Sequence, residues 1–288
     1  MKYLVLINPS SHGGRAARVW RGIQPRLQDA EWCVLKSIEE ARELARKATG
    51  YETIVACGGD GTINAVADGV MANADEKLSF GVIYAGTSPD FCRFHGIPTE
   101  PKAAIELLEH GVVREVPVLM ANGRCFFCSC NVGMGADVAA AANRLRPWLG
   151  DKLGTFLALM RSLLRGQRWN FTVGNECISQ CNHLLFTRMP YIASGLKLAL
   201  PTLKDDEYAM WFVRNQSFWN WMKMLTKIYR GESCGELRVC RGTQVVACTQ
   251  PVGVEYDGDP HGTLPVEISL APRRLRLIAT PIKEASHA

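Results

Sequence analysis

Two clusters in this sequence combine carboxylates with glycines in a way that could do chemistry. Gly58-Gly59-Asp60-Gly61-Thr62 sets a carboxylate and a hydroxyl among three glycines, and Ile63-Asn64 follow directly. Glycines let a backbone approach a ligand closely and adopt positive φ. A helix opening at that point would turn unpaired amides and a positive dipole end toward a phosphate. The cluster lacks the lysine of a P-loop and does not have dinucleotide-fingerprint spacing, so neither of those sites is implied. Asp60 would repel a phosphate, unless it holds a metal ion or positions a metal-bound water. The second cluster is Asp257-Gly258-Asp259, directly after an apolar stretch. Each cluster has an ordinary explanation: Gly-Gly-Asp-Gly is a natural turn composition, and Asp-Gly is a favoured hairpin pair.

The elements around the first cluster shift that balance. Tyr3-Ile7 is an apolar run that ends in Asn8-Pro9-Ser10-Ser11-His12-Gly13-Gly14, a polar turn. Arg15–Leu27 has helical character with Pro25 breaking its last turn, Glu31–Leu35 is a short strand, and Ile38–Ala48 is a helix. Thr53–Cys57 is a strand leading into the glycines, Asn64–Met71 a helix, Phe80–Tyr84 a strand and Pro101–Glu109 a helix. Strand and helix in turn predict an α/β layer with a largely parallel sheet. The polar stretches Asn8–Ser11, Gly58–Thr62 and Ala85-Gly86-Thr87-Ser88-Pro89-Asp90-Phe91 each follow a strand, so they share one rim, where open α/β sheets bind ligands.

Beyond Gly111 the character changes. Strand-like segments follow one another from Val113 to Ala279, interrupted by helical stretches at Ala136–Leu164, broken at Pro147, and Phe218–Arg230. The expected architecture is an α/β nucleotide-binding domain over residues 1–120, then a β-rich, sandwich-like domain over 121–288 with its last residues free to pack back on the first.

Composition bounds the function class. The 288 residues are 47% hydrophobic and 21% charged, the balance of a folded chain of about two domains. A net charge of +5 is short of what nucleic-acid binding would suggest, so no nucleic-acid partner is expected, but it suits an anionic membrane surface. The first apolar run is too short for an export signal, and no stretch reaches the ~18 apolar residues of a membrane span. Eleven scattered cysteines cannot all pair, which implies free thiols and a cytoplasmic setting. Cys125, Cys128 and Cys130 lack a second pair at metal-ligand spacing, so alternation along a strand explains them.

With the ordered blocks in view, the sequence resembles the diacylglycerol kinase catalytic family, which includes bacterial diacylglycerol and YegS-type lipid kinases and the sphingosine kinases. The blocks are Asn8-Pro9-Ser10, Gly58–Asn64, Gly86-Thr87 with Asp90-Phe91, Asn131-Val132-Gly133-Met134-Gly135-Ala136-Asp137, Leu203-Lys204-Asp205-Asp206, Asp257-Gly258-Asp259, Pro265-Val266-Glu267-Ile268 and Leu275-Arg276-Leu277. The glycine block alone is shared with NAD kinases and phosphofructokinases; the ordered set spans nearly the whole chain. The resemblance implies a lipid kinase using ATP and Mg²⁺, with a cleft between its domains. It implies ATP-site residues Asn8, Ser10, Gly58, Gly59, Asp60, Gly61, Thr62, Asn64 and Thr87, and more loosely Ser37. It makes Asp257 the general base, so that Asp257→Asn is expected to fold normally and lose phosphoryl transfer. It also implies a structural Mg²⁺ or Ca²⁺ ion on Asp206 and the carbonyls of Leu203 and Tyr208, where a charged surface turn is the competing explanation.

Three departures stand out. Pro89 replaces the usual Asn, Glu207 stands where glycine is usual in the metal loop, and Asp259 replaces a Glu. They leave open a soluble acceptor, as in NAD kinases, or a non-catalytic nucleotide- or lipid-binding homologue. Basic residues from Arg144 to Arg168, with Asp151 the one acidic residue, surround Trp148, Phe156, Leu157, Met160 and Leu164. Ser217 caps a second stretch carrying Phe218, Trp221, Met222, Leu225 and Tyr229 with Lys223, Lys227 and Arg230. These suit either helices packed on the β domain or peripheral contact with the inner face of a membrane. A homodimer is left open.

Overall fold

The computed structural model describes residues 2–11, 13–192 and 196–281, and leaves the side chains of Asp151 and Lys152 undescribed. His12 of the first polar turn, and the Asp151 side chain, therefore lie outside the described residues. The chain divides into two compact units, one built from residues up to Pro117 with those from Pro272 onward, the other from Val118 to Ala271.

In chain order the first unit contains β1 (Tyr3–Ile7), α1 (Arg15–Ile23), β2 (Ala30–Val34), α2 (Ile38–Lys47), β3 (Thr53–Gly58), α3 (Asp60–Met71), β4 (Ser79–Tyr84), α4 (Asp90–His95), α5 (Pro101–His110) and β5 (Val112–Val116). A six-stranded sheet runs β2-β1-β3-β4, then a strand from the far end of the chain, then β5. All pairings are parallel except that of β5, which runs antiparallel to that late strand. Every residue of β3 and β4 is buried. That is what their unbroken apolar runs require, since a parallel sheet is covered by helices on both faces. Val5, Ile7, Val55, Cys57 and Ile83 of the sheet pack against Ala16, Trp20 and Ile23 of α1 and Ala104, Ile105 and Leu108 of α5.

The second unit contains β6 (Leu119–Ala121), β7 (Arg124–Phe126), β8 (Ser129–Gly133), α6 (Met134–Arg165), β9 (Trp169–Val173), β10 (Glu176–Thr187), β11 (Tyr191–Ile192), β12 (Leu196–Lys197), β13 (Glu207–Arg214), α7 (Phe218–Tyr229), β14 (Glu236–Arg241), β15 (Gln244–Ala247), β16 (Gly253–Tyr256), β17 (Asp259–Thr263) and β18 (Val266–Leu270). The late strand of the first sheet is β19 (Leu275–Ala279). Eleven strands of the second unit form one antiparallel sheet, with β10 paired to β8, β9 and β13 along its 12-residue length. Its inward residues, among them Phe126, Phe171, Phe186, Tyr208, Phe212 and Ile268, make the core of this unit. The expected β-rich second unit is thus present, as one sheet closing over its own apolar face. Helices α6 and α7 cover another face, where Leu163, Trp221, Met224 and Ile228 pack with Leu185, Trp211 and Val213.

Several element boundaries differ from expectation for identifiable reasons. Helix α3 begins at Asp60, so Asp60 and Gly61 form its first turn rather than a preceding loop. Pro147 stays within α6, and the interruption comes at Gly150, whose φ of 71° is cheap only for glycine. The stretch Val113–Met120 is two strands, β5 and β6, which serve different sheets.

Candidate active site

Strands β1, β3 and β4 are adjacent and parallel, so the turns after them emerge at one edge of the first sheet. The turns are tied together. Asn8 donates a backbone bond to the Cys57 carbonyl at 3.0 Å, and Ala85 donates to the Gly58 carbonyl at 2.7 Å. The Asn8 side chain donates from Nδ2 to the Thr62 hydroxyl at 2.9 Å, while its Oδ1 accepts from the Ser10 amide at 3.1 Å and the Ser10 hydroxyl at 2.7 Å. The Gly59 amide donates to Ser11 Oγ at 3.4 Å. Asn8, Ser10, Gly58, Gly59 and Thr62 therefore form one hydrogen-bonded unit.

Packing explains the glycines here. A Cβ on Gly58 would lie 2.5 Å from the Thr62 hydroxyl oxygen, and one on Gly59 would lie 3.2 Å from the Gly86 Cα. Gly61 is different: a Cβ there meets nothing within 4 Å. It is exposed at the first turn of α3, which has no side-chain cap. An uncapped helix start leaves backbone donors for an anion.

Asp60 and Asn64 are one turn apart on the same face of α3. Asp60 Oδ2 accepts from the Tyr84 hydroxyl at 3.3 Å, and burial, with Asp60 close by, raises the Tyr84 phenol well above its ordinary range. Asn64 is buried, at 9% exposure, and neither atom of its side-chain amide has a partner. An orphaned amide at this depth costs on the order of 1–3 kcal/mol. It is retained at little cost where a ligand completes it.

Thr87 is exposed directly after Gly86. Pro89 occupies the N-cap of α4, where its missing N–H removes no helical bond, so this departure is tolerated locally. Ser37 is engaged within its own helix. Its hydroxyl accepts from the Glu40 amide at 3.2 Å as the N-cap of α2, and Glu40 reaches back to the Lys36 amide at 2.5 Å. Composition and spacing did not single out Arg15, whose Nη1 stands 3.5 Å from the Gly86 carbonyl oxygen. Its place at the first position of α1, after a Gly-Gly pair, was the available signal.

In the second unit, Asp257 and Gly258 form the two-residue turn between β16 and β17, with φ of 56° and 93°. These values fit the turn type that Asp-Gly hairpins favour. The Asp257 carboxylate points back to its own sheet. Oδ2 accepts from the Phe127 amide at 2.7 Å, and Oδ1 accepts from those of Cys128 at 2.7 Å and Ser129 at 3.2 Å. Burial pushes this carboxyl up to about 7, against the pull of the three amides. Beneath it, Glu255 is 4% exposed, accepts from Asn131 Nδ2 at 2.6 Å and from the Gly258 amide, and is raised by burial to about 8. Sequence patterns missed Glu255 and gave Asn131 no role beyond its place in a family block, because only strand pairing of β16 with β8 sets them opposite each other.

Residues 203–208 are a turn entering β13. Leu203 is half-buried and Asp206 exposed. Tyr208 is buried inside the strand, opposite Cys240, with its hydroxyl donating to the Gly242 carbonyl at 2.9 Å. Arg241 Nε stands 3.4 Å from Asp206 Oδ2, and its Nη2 bonds Glu207 Oε1. Among the described residues no cluster of three His, Cys, Asp or Glu side chains could hold a metal ion. The exposed Arg241 guanidinium therefore stands beside the carboxylate that the resemblance assigns to a metal ion.

Residues 2–121 match the model of the diacylglycerol kinase catalytic domain. The diacylglycerol kinase catalytic-domain family is therefore shown for residues 2–121. The chain is 26% identical over 259 residues to a protein of Bacillus subtilis named "Diacylglycerol kinase", covering 86% of this chain and 84% of that one. It is 38% identical over 103 residues to a Pseudomonas aeruginosa protein named "Probable lipid kinase YegS-like", an alignment spanning 35% of this chain and only 33% of that protein. A solved structure of a diacylglycerol kinase from Bacillus anthracis superposes with a TM-score of 0.77, covering 97% of each chain at 20% identity. At that identity the superposition speaks for the fold alone. The fold is thus shared with that solved structure over nearly the whole chain.

Proposed function

We propose that the protein is a lipid kinase that transfers the γ-phosphate of Mg-ATP to the hydroxyl of diacylglycerol or a related lipid alcohol. The observation that carries the nucleotide assignment is the buried Asn64 amide, lacking any partner one turn inside the uncapped start of α3. A phosphate or ribose oxygen near the Gly59–Thr62 turn would complete it. The amides of the helix start, Thr62, Thr87 and the Arg15 guanidinium would share the phosphate charge, and Mg²⁺ would arrive with ATP as part of the substrate. In the reaction the acceptor oxygen bonds to the γ-phosphorus, the bond to the β,γ-bridging oxygen breaks, and ADP leaves with that electron pair.

Asp257 is proposed as the base that takes the hydroxyl proton. Two supports favour it: its carboxyl is raised to about 7, where proton acceptance is effective near neutral pH, and three amides hold it in one orientation. A carboxylate has about four acceptor positions, so three backbone bonds leave one on Oδ2 for the substrate proton.

We also assign the outer faces of α6 and α7 to contact with an anionic bilayer, where the acceptor lipid resides. The two helices share one apolar layer beneath, yet they leave Trp148 86%, Phe156 54% and Trp219 73% exposed. Arg144, Arg161, Arg165 and Arg168 accompany the first group, and Lys223, Lys227 and Arg230 the second. Exposed aromatics beside cations suit the headgroup region. No helix among the described residues is long and apolar enough to cross a membrane.

The test is a radiolabelled ATP assay over diacylglycerol and other lipid alcohols, alongside soluble acceptors including NAD. Label in a lipid product, dependent on Asp257, is expected. Transfer only to a soluble acceptor would replace the lipid assignment, and ATP binding without transfer to any acceptor would overturn the kinase reading. Co-sedimentation with liposomes should rise with anionic lipid and fall for the Trp148→Ala/Trp219→Ala double variant; no dependence on anionic lipid would sink the membrane assignment.

A further inference from the structure

We infer that the turn at residues 203–208 uses arginine side chains in place of a structural metal ion and needs no divalent cation. The family resemblance puts Mg²⁺ or Ca²⁺ on Asp206 and the carbonyls of Leu203 and Tyr208. Oxygens of the neighbouring residues Lys204 and Glu207 are engaged within the turn, and Asp206 faces Arg241. The Glu207 amide donates to the Lys204 carbonyl at 3.1 Å, closing the turn, and Glu207 Oε2 accepts from the Lys204 amide at 2.9 Å. Arg188 Nη1 donates to the same Lys204 carbonyl at 3.0 Å and also to the Glu207 carbonyl. Arg241 bridges the two carboxylates, Glu207 through Nη2 and Asp206 through Nε.

The two arginines come from the strands on either side. Arg188 directly follows β10 and Arg241 ends β14, and both strands pair with β13, which starts at Glu207. Their guanidinium groups therefore join the ends of three neighbouring strands across this turn, which is what a shared cation would do. The charges of Asp206 and Glu207 are matched by those of Arg188 and Arg241.

A Ca²⁺ ion would need about six to eight oxygens at roughly 2.3–2.6 Å. At Asp206 it would have to displace Arg241 Nε and sit beside a permanent positive charge that Glu207 holds in place. Glu207, the departure from the family glycine, supplies the buried carboxylate that fixes Arg241; its side chain is 9% exposed. The exchange of glycine for glutamate and the loss of the ion are one change. This inference stands apart from the phosphotransfer proposal, because it concerns the folded state without nucleotide.

Thermal unfolding of the full chain, free of nucleotide, tests it. Melting in millimolar Mg²⁺, millimolar Ca²⁺ and chelator should agree within about 1 °C, since a cation that binds the native state raises Tm by mass action. Arg241→Gln, which leaves the Glu207 carboxylate without its charged partner, should lower Tm by about 3–6 °C in chelator. A saturable, cation-dependent rise in the Tm of the wild-type protein overturns the inference, as does an Arg241→Gln protein that melts with the wild type.

Discussion

Gly59 and Gly86 touch backbone to backbone: a Cβ on Gly86 would stand 2.6 Å from the Gly59 Cα and 2.7 Å from the Tyr84 hydroxyl. The turns after β3 and β4 are held at the distance that two bare glycines allow. Gly86→Ala must push them apart, so it should lower both stability, by about 1–3 kcal/mol, and nucleotide affinity. Gly61→Ala meets no neighbour and lies in a helix, where alanine is favoured by about 0.5–1 kcal/mol. Its Tm should hold or rise. Denaturant titration with fluorescent-nucleotide binding distinguishes the two; equal destabilisation would refute the packing argument.

Asn64 offers a cleaner separation of folding from binding. Its buried amide has no partner in the protein alone, so Asn64→Ala, which removes that cost of about 1–3 kcal/mol, should hold or raise stability. Nucleotide affinity should fall at least about tenfold, the loss of one to two hydrogen bonds. Calorimetric titration of ATP into the variant is the measurement, and unchanged affinity would remove Asn64 from the site.

Asp257→Asn cannot be the silent structural substitution that the sequence alone suggests. Asparagine tolerates the positive φ, but its amide nitrogen must face a backbone N–H now bonded to a carboxylate oxygen. The variant should lose about 1–3 kcal/mol of stability. Its activity should fall far more than its folded fraction does, by roughly a hundredfold or more for loss of a general base. Activity that tracks the folded fraction would assign Asp257 to the hairpin and nothing else.

The raised carboxyls predict opposite trends with pH. Both Asp257, at about 7, and Glu255, at about 8, lie above their unfolded values, so their contribution to stability is full below about pH 4 and is lost progressively as pH rises from there through 7 to 8. Catalysis by ionised Asp257 should instead rise through about pH 7. Glu255→Gln should flatten part of the fall in stability between about pH 4 and 8 while leaving the activity rise in place. Paired melting and kcat/KM profiles from pH 5 to 9 read both; parallel trends would contradict the assignment.

The sequence by itself determined the strand-helix alternation of the first unit, the glycine turn and its neighbours on one rim, and the β-rich character of the remainder. These are local properties: apolar runs that suit a buried parallel sheet, and glycines and short polar side chains that punctuate it. Tertiary structure alone decided the rest. It showed that Gly58 and Gly59 answer to Thr62 and Gly86, that Ser37 caps a helix, and that β19 returns to the first sheet. It also brought Asp257 under the amides of residues 127–129 and Arg188 and Arg241 onto the Lys204–Glu207 turn. Partners such as Asp257 and Phe127 are 130 residues apart in the chain. No local spacing encodes such a pair; it exists only once strands from distant segments pair in one register.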